Sequence, residues 1–197
     1  MNKIFIAAAS IVTETDLPSA RLGQRFGRLD LQSQLALLAV ASLQIDFAKF
    51  PPDRLGICLV ASAGSLTTDL NFWNGRSGVG GPSPTLFAYT LPSAAVGEIA
   101  IHFGLTGPDL CFVGDGTELI TEAVDLIRSD KVDGCLCICG EVISTEVAKI
   151  ISGPSAATAC ALFLTRAALS PDSRELREFD RDIKPLCALL CAAKSAS

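Results

Sequence analysis

The sequence predicts an α/β fold with a single mixed, mostly parallel sheet and helices on its faces. Two observations carry this. Short apolar runs bounded by turn residues alternate with stretches of helical apolar spacing, as in interleaved strands and helices. Residues 104–117 then read as a loop, a strand and a helix start in direct succession.

The elements follow in order. Residues 3–11 read as a first strand, and the polar, glycine-containing residues 13–27 as a loop. Leu31, Leu35, Leu38, Ala39, Ser42, Ile45 and Phe47 recur near helical spacing, which predicts a helix over 31–50 with Asp30 as its N-cap. Pro51-Pro52 ends it. Leu55–Ala61 is a continuous apolar run of the kind buried on both faces of a sheet. Residues 62–84 are rich in Gly, Ser and Pro and read as a loop. A helix over 92–103 opens with Pro92 and closes at Gly104. A strand over 109–113 and a helix over 117–128 come next, the helix with Leu119, Ile120, Ala123, Val124 and Ile127 on one face. Strands are expected over 132–139 and 158–164. The composition changes after Pro171: residues 172–184 are charged and 185–193 apolar. This divides the chain into a domain over 1–168 and a tail over 169–197 that could lie as a helix across the sheet.

The turn between strand 109–113 and helix 117–128 is the candidate site. A strand that runs into a helix N-terminus is a common place to present a nucleophile, because the exposed N–H groups and the dipole stabilise negative charge there. Here its tip is Gly116, with no side chain. Asp115, Glu118 and Glu122 surround it, and Asp115 could act as a base or nucleophile. The alternative is that Asp115 and Glu118 only complement the helix dipole.

Composition narrows the function. Apolar residues make up 49% of the 197 and mean hydropathy is +0.43. No apolar run reaches the roughly 18 residues of a membrane span. The excess suggests either a large subunit interface or a strongly buried core. The net charge of −5, with scattered Lys and Arg, leaves no nucleic-acid footprint. The apolar start loosely mimics a signal peptide but reads better as the first strand, so the expected location is the cytoplasm. The glycines of 75–81 lack the ending of a phosphate-binding P-loop.

Eight cysteines invite a metal or disulfide framework. Cys135, Cys137 and Cys139 alternate, which puts all three on one strand face about 6.5–7 Å apart. That spacing is at or beyond disulfide reach and diverges poorly for a tetrahedral metal site. Small buried thiols are expected, with no metal and no cofactor. Cys187 and Cys191 lie four apart on a possible helix. His102 is the only histidine, which leaves no base for a Ser-His-Asp triad and no multi-histidine metal site.

The stretch Ser83-Pro84-Thr85-Leu86-Phe87-Ala88-Tyr89-Thr90-Leu91-Pro92-Ser93-Ala94-Ala95-Val96-Gly97-Glu98-Ile99-Ala100-Ile101-His102-Phe103-Gly104-Leu105-Thr106-Gly107-Pro108 resembles the segment preceding the catalytic strand of β-ketoacyl synthases, condensing enzymes of the thiolase fold. Asp133-Gly134-Cys135-Leu136-Cys137-Ile138-Cys139-Gly140-Glu141 resembles a later segment of the same N-terminal half. The resemblance covers residues 1 to 168 and implies a thiolase-like half. It places the family's nucleophilic cysteine nine residues after Gly107, at Gly116. Cys111 lies five residues too early to replace it, and His102 matches no catalytic position. The family's two catalytic histidines belong to a second half.

Condensation needs a thiolate to carry the acyl group, and a histidine pair with an oxyanion hole to support the malonyl carbanion. The resemblance therefore implies a chain without condensing activity of its own, similar to the chain-length factors that pair with active ketosynthases, although those carry both halves. It implies a dimer interface along the strand before the nucleophile, at Cys111, Phe112 and Val113, and explains the apolar excess as surface a second half would cover. The implied partners are a second copy or a full-length ketosynthase, with an acyl carrier protein as a further one, in fatty acid, polyketide or polyene synthesis. Two other readings remain open: a homodimeric scaffold for an acyl chain or carrier protein, and a hydrolase using Asp115.

Overall fold

The computed structural model describes residues 3–78, 80–177 and 183. Their strands form one six-stranded sheet in the order β3-β2-β4-β5-β1-β6. β1 (Phe5–Thr13) opens the chain. Helix α1 (Leu31–Ser42) follows, capped by Asp30, whose carboxylate accepts from the Ser33 N–H at 3.0 Å. Its other oxygen accepts from the Thr68 hydroxyl at 2.9 Å. The helix stops eight residues before the expected end at 50. Gln44 turns left-handed (φ 56°), and Phe47–Lys49 forms a separate 3-10 turn. That break lets Phe47 and Phe50 each meet Phe163 edge-on at 5.6 Å.

β2 (Leu55–Ala61) is buried along its whole length, as its unbroken apolar run predicts. The expected loop over 62–84 instead contains helix α2 (Leu66–Gly75) and the single turn α3 (Pro84–Phe87). Ser83 caps α3 by accepting from the Leu86 N–H. α4 (Ala94–Phe103) ends at Gly104 with φ 67°, the left-handed C-cap its sequence signals. β3 (Asp109–Val113), α5 (Leu119–Arg128), β4 (Gly134–Ile143), α6 (Thr145–Ile150), β5 (Ala156–Thr165) and β6 (Arg174–Glu175) complete the order.

The sheet is mixed, as expected, but not mostly parallel. β2 runs parallel to β3 and β4, whereas β4–β5, β5–β1 and β1–β6 are antiparallel. Connections decide the direction. β2 reaches β3, and β3 reaches β4, through helical crossovers, but the chain returns from β4 to β5 past only the short α6. Residues 174 and 175, beyond the expected domain end at 168, rejoin the sheet as β6 against Phe5 and Ile6. Of the apolar tail, Ile183 is described and lies buried with Leu176 against the α5 face. Cys187 and Cys191 lie outside the described residues.

Strand alternation splits the core in two. Leu55, Ile57, Leu59, Leu136, Ile138 and Phe163 face α1 and α4. Cys58, Val60, Cys135, Cys137, Cys139 and Leu162 face α5. The three alternating cysteines thus share one buried face, joined there by Cys58 and Cys160. The Cys58 and Cys135 sulfurs approach to 3.6 Å. Contact with Cys135, together with burial, pushes the Cys58 thiol well above its ordinary pKa, which keeps it protonated and unreactive. No disulfide occurs among the described residues.

An ionic clasp closes the end of the sheet at which β2 and β4 begin. Arg54 reaches Asp133 at 2.7 Å and Asp130 at 2.9 Å, and Arg166 also pairs with Asp130.

Candidate functional site

The site is the end of β3 and the connection to α5. The helix begins at Leu119 rather than Thr117, so the connection is residues 114–118 instead of the expected 114–116. Gly114 anchors the connection by donating its N–H to the Ala61 carbonyl at 3.3 Å, and the Leu119 N–H donates to the Gly116 carbonyl at 3.2 Å. Gly116 holds φ +80°, a left-handed conformation that L side chains rarely adopt. A Cβ built there would lie 3.0 Å from Val60 Cγ1 and 3.3 Å from Cγ2. The backbone conformation favours glycine, and a side chain there would require Val60 to shift by a few tenths of an ångström.

Asp115 is exposed at this turn. Its carboxylate accepts from the Thr117 N–H and hydroxyl, each at 3.1 Å. These bonds, the backbone one foremost, hold it below the usual carboxylate range, which suits a turn-forming group and weakens it as a base. Glu118 occupies the N-cap position without a side-chain capping bond.

Nearby, Glu141 is buried at the end of β4 and binds the loop after β2. The Ser62 hydroxyl donates to it at 2.5 Å and the Ser62 N–H at 3.3 Å, and the Cys139 sulfur lies 3.5 Å away. Glu141 thereby ties β2 to β4 beside the elbow, a role the sequence did not signal.

His102 is exposed on α4, edge-on to Phe103 at 4.7 Å. α4 packs on the α1 side of the sheet and Gly116 sits over Val60 on the α5 side, so the only histidine and the elbow lie on opposite faces. His102 instead helps line a small pocket of about 110 Å³ with Arg25, Phe26 and Ile101. At its wall, Glu98 is buried between Arg25 (2.9 Å) and the Tyr89 hydroxyl (3.1 Å). Among the described residues, no group of three or more His, Cys, Asp or Glu is arranged to hold a metal ion. No described helix is long and apolar enough to cross a membrane.

Among the described residues, β3 is an edge strand paired to β2 alone. Cys111 packs toward the α1–α4 cluster, while Leu110 and Phe112 pack toward the α5 cluster. All three are half-buried, and Val113 is 63% exposed. Of the three residues singled out as an interface, Cys111 and Phe112 thus turn to opposite faces of this edge strand, and Val113 stands exposed at its end. Exposed apolar residues are not gathered on α5, whose outward residues Thr121, Asp125 and Arg128 are polar. Several of the large exposed side chains, among them Phe87, Leu91 and Val113, lie on the segments around the end of β3.

No family model matches the chain, and no curated protein does. Solved structures do. A chain of a ketosynthase in complex with its chain length factor from Xenorhabdus doucetiae superposes with a TM-score of 0.63 at 20% identity, covering 85% of this chain and 80% of that one. The ishigamide ketosynthase/chain length factor gives 0.64 at 16% identity, covering 86% and 63%. A type II polyketide synthase acyl-carrier protein in complex with its ketosynthase gives 0.66 at 15% identity, covering 84% and 62%. This chain has the ketosynthase fold. It spans less than two thirds of the second and third of these chains and 80% of the first.

Proposed function

We propose that this chain is a non-catalytic ketosynthase-like subunit that pairs along β3 with a full-length ketosynthase in fatty acid, polyketide or polyene synthesis. The observation that carries the reading is Gly116: the tip of the turn after β3 has no side chain to serve as a nucleophile, and a Cβ there would press on Val60 at 3.0 Å. The edge strand at Cys111, Phe112 and Val113, paired on one side only among the described residues, supports the docking half. The complexes named for solved neighbours, a ketosynthase with its chain length factor and a ketosynthase with an acyl-carrier protein, are the kind of assembly this predicts.

Incubation of the purified protein with acyl and malonyl thioesters is expected to give no carbon–carbon bond formation and no acyl-protein adduct by mass spectrometry. Turnover, or a stable adduct in residues 114–118, contradicts the reading. The hydrolase reading with Asp115 draws no support from that residue's exposed, turn-bonded carboxylate.

A further inference from the structure

We propose that the pocket between α4 and the 3-10 turn Phe26–Arg28 binds a small molecule that ends in a primary amide and carries a short branched aliphatic body. The pocket lies on the opposite face of the sheet from the Gly116 turn, and none of its lining residues belongs to β3, so it does not depend on the pairing proposed above.

The head group follows from how Glu98 is used. Its side chain is only 10% exposed, so its hydrogen bonds are set inside the protein. Both of its donors, Arg25 Nη2 at 2.9 Å and the Tyr89 hydroxyl at 3.1 Å, meet the same oxygen, Oε1. The other oxygen, Oε2, has no hydrogen-bond partner among the described residues and is not sealed from solvent. A carboxylate oxygen left over at a pocket wall is an acceptor for a ligand N–H. Arg25 spends only Nη2 on Glu98, and the rest of its planar fork remains as donors on the same wall. The wall thus offers an acceptor and a donor side by side. A primary amide presents the complement, an N–H for Glu98 and a carbonyl for Arg25. Ions fit worse: a carboxylate would face Glu98 and an ammonium would face Arg25, so each meets a like charge.

The body follows from the walls and the volume. Phe26, Leu29 and Leu37 are core residues, and Leu22 and Ile101 complete the apolar lining. An apolar cavity of about 150 Å³ takes benzene. At about 110 Å³ this pocket suits about six heavy atoms at most, an amide on a three-carbon branch.

The test is titration of the 15N-labelled chain with isobutyramide and three relatives of similar shape, isobutyrate, isobutylammonium and 3-methyl-2-butanone, followed by amide NMR shifts. Isobutyramide is expected to give saturable shifts at Ile101 and His102. It should bind about tenfold or more tighter than each relative, since each loses one hydrogen bond to a charged partner. Ile101 is 62% exposed, so Ile101→Trp is expected to block the mouth and remove saturation while leaving thermal melting within a few degrees of the parent. Glu98→Gln is expected to weaken isobutyramide by about tenfold and to leave the ketone unchanged; if that variant melts early, Ile101→Trp decides. Shifts that rise linearly with every probe, a relative that binds as tightly as the amide, or saturation that survives Ile101→Trp each overturns the assignment and leaves the reading of β3 standing.

Discussion

Gly116 joins two constraints that usually occur apart, a left-handed backbone and a neighbour at contact distance. Substitution by Ala or Cys is expected to cost about 1–2 kcal/mol for the conformation, plus whatever Val60 must move, read as a lowered urea midpoint. Gly116→Cys is further expected not to form an acyl adduct, because the only histidine stands on the opposite face of the sheet. The clasp carboxylates make a second residue-scale prediction. Asp130 and Asp133 are held below their ordinary pKa, chiefly by hydrogen bonds from Arg54. A lowered folded pKa means that the contribution is complete above about pH 4 and is lost as pH falls through the lowered value. Urea midpoints between pH 6 and pH 3 should therefore fall, and Arg54→Leu should flatten that acid limb. The sequence showed that a side chain is missing at 116. It could not show the positive φ or Val60, because both depend on how β2 and the elbow meet in space.

At the scale of elements, Asp30 serves two partners, the N-terminus of α1 and Thr68 of α2. Asp30→Ala is expected to cost about 1 kcal/mol for the cap, with more for the lost tie to α2, measured by chemical denaturation. If β3 is a docking edge, Cys111 should lose access when the partner binds. Its half-buried thiol, raised in pKa by burial, should alkylate slowly in the chain alone and more slowly still in the complex. Mass spectrometry after iodoacetamide treatment reads this, and equal labelling in both states removes β3 from the interface. Elements with strong local signals were legible: the apolar run of β2, the Asp30 cap and the glycine stop of α4. α2 was hidden because a ten-residue helix lies inside a stretch framed by Gly, Ser and Pro. The early end of α1 was hidden because the apolar spacing continues through Ile45 and Phe47. Packing against Phe163, not local propensity, decides where those side chains go.

For the whole molecule, the α/β class and its mixed sheet could be read from the order of apolar runs. The antiparallel half could not, since strand direction follows from how the chain returns between strands. The loop–strand–helix pattern of residues 104–117 located β3 and the turn after it, but not how that turn packs on Val60, a contact between segments more than fifty residues apart. Together these features describe, among the described residues, an edge strand paired on one side only, beside a turn tipped by a glycine. The most direct test of that account is purification of the tagged chain from its native cell, followed by size-exclusion chromatography and mass spectrometry of the complex. The account predicts a stoichiometric complex with a full-length ketosynthase, its own condensing activity absent when the partner is removed. A chain that runs as a monomer or as a dimer of itself, with no ketosynthase bound, would contradict it.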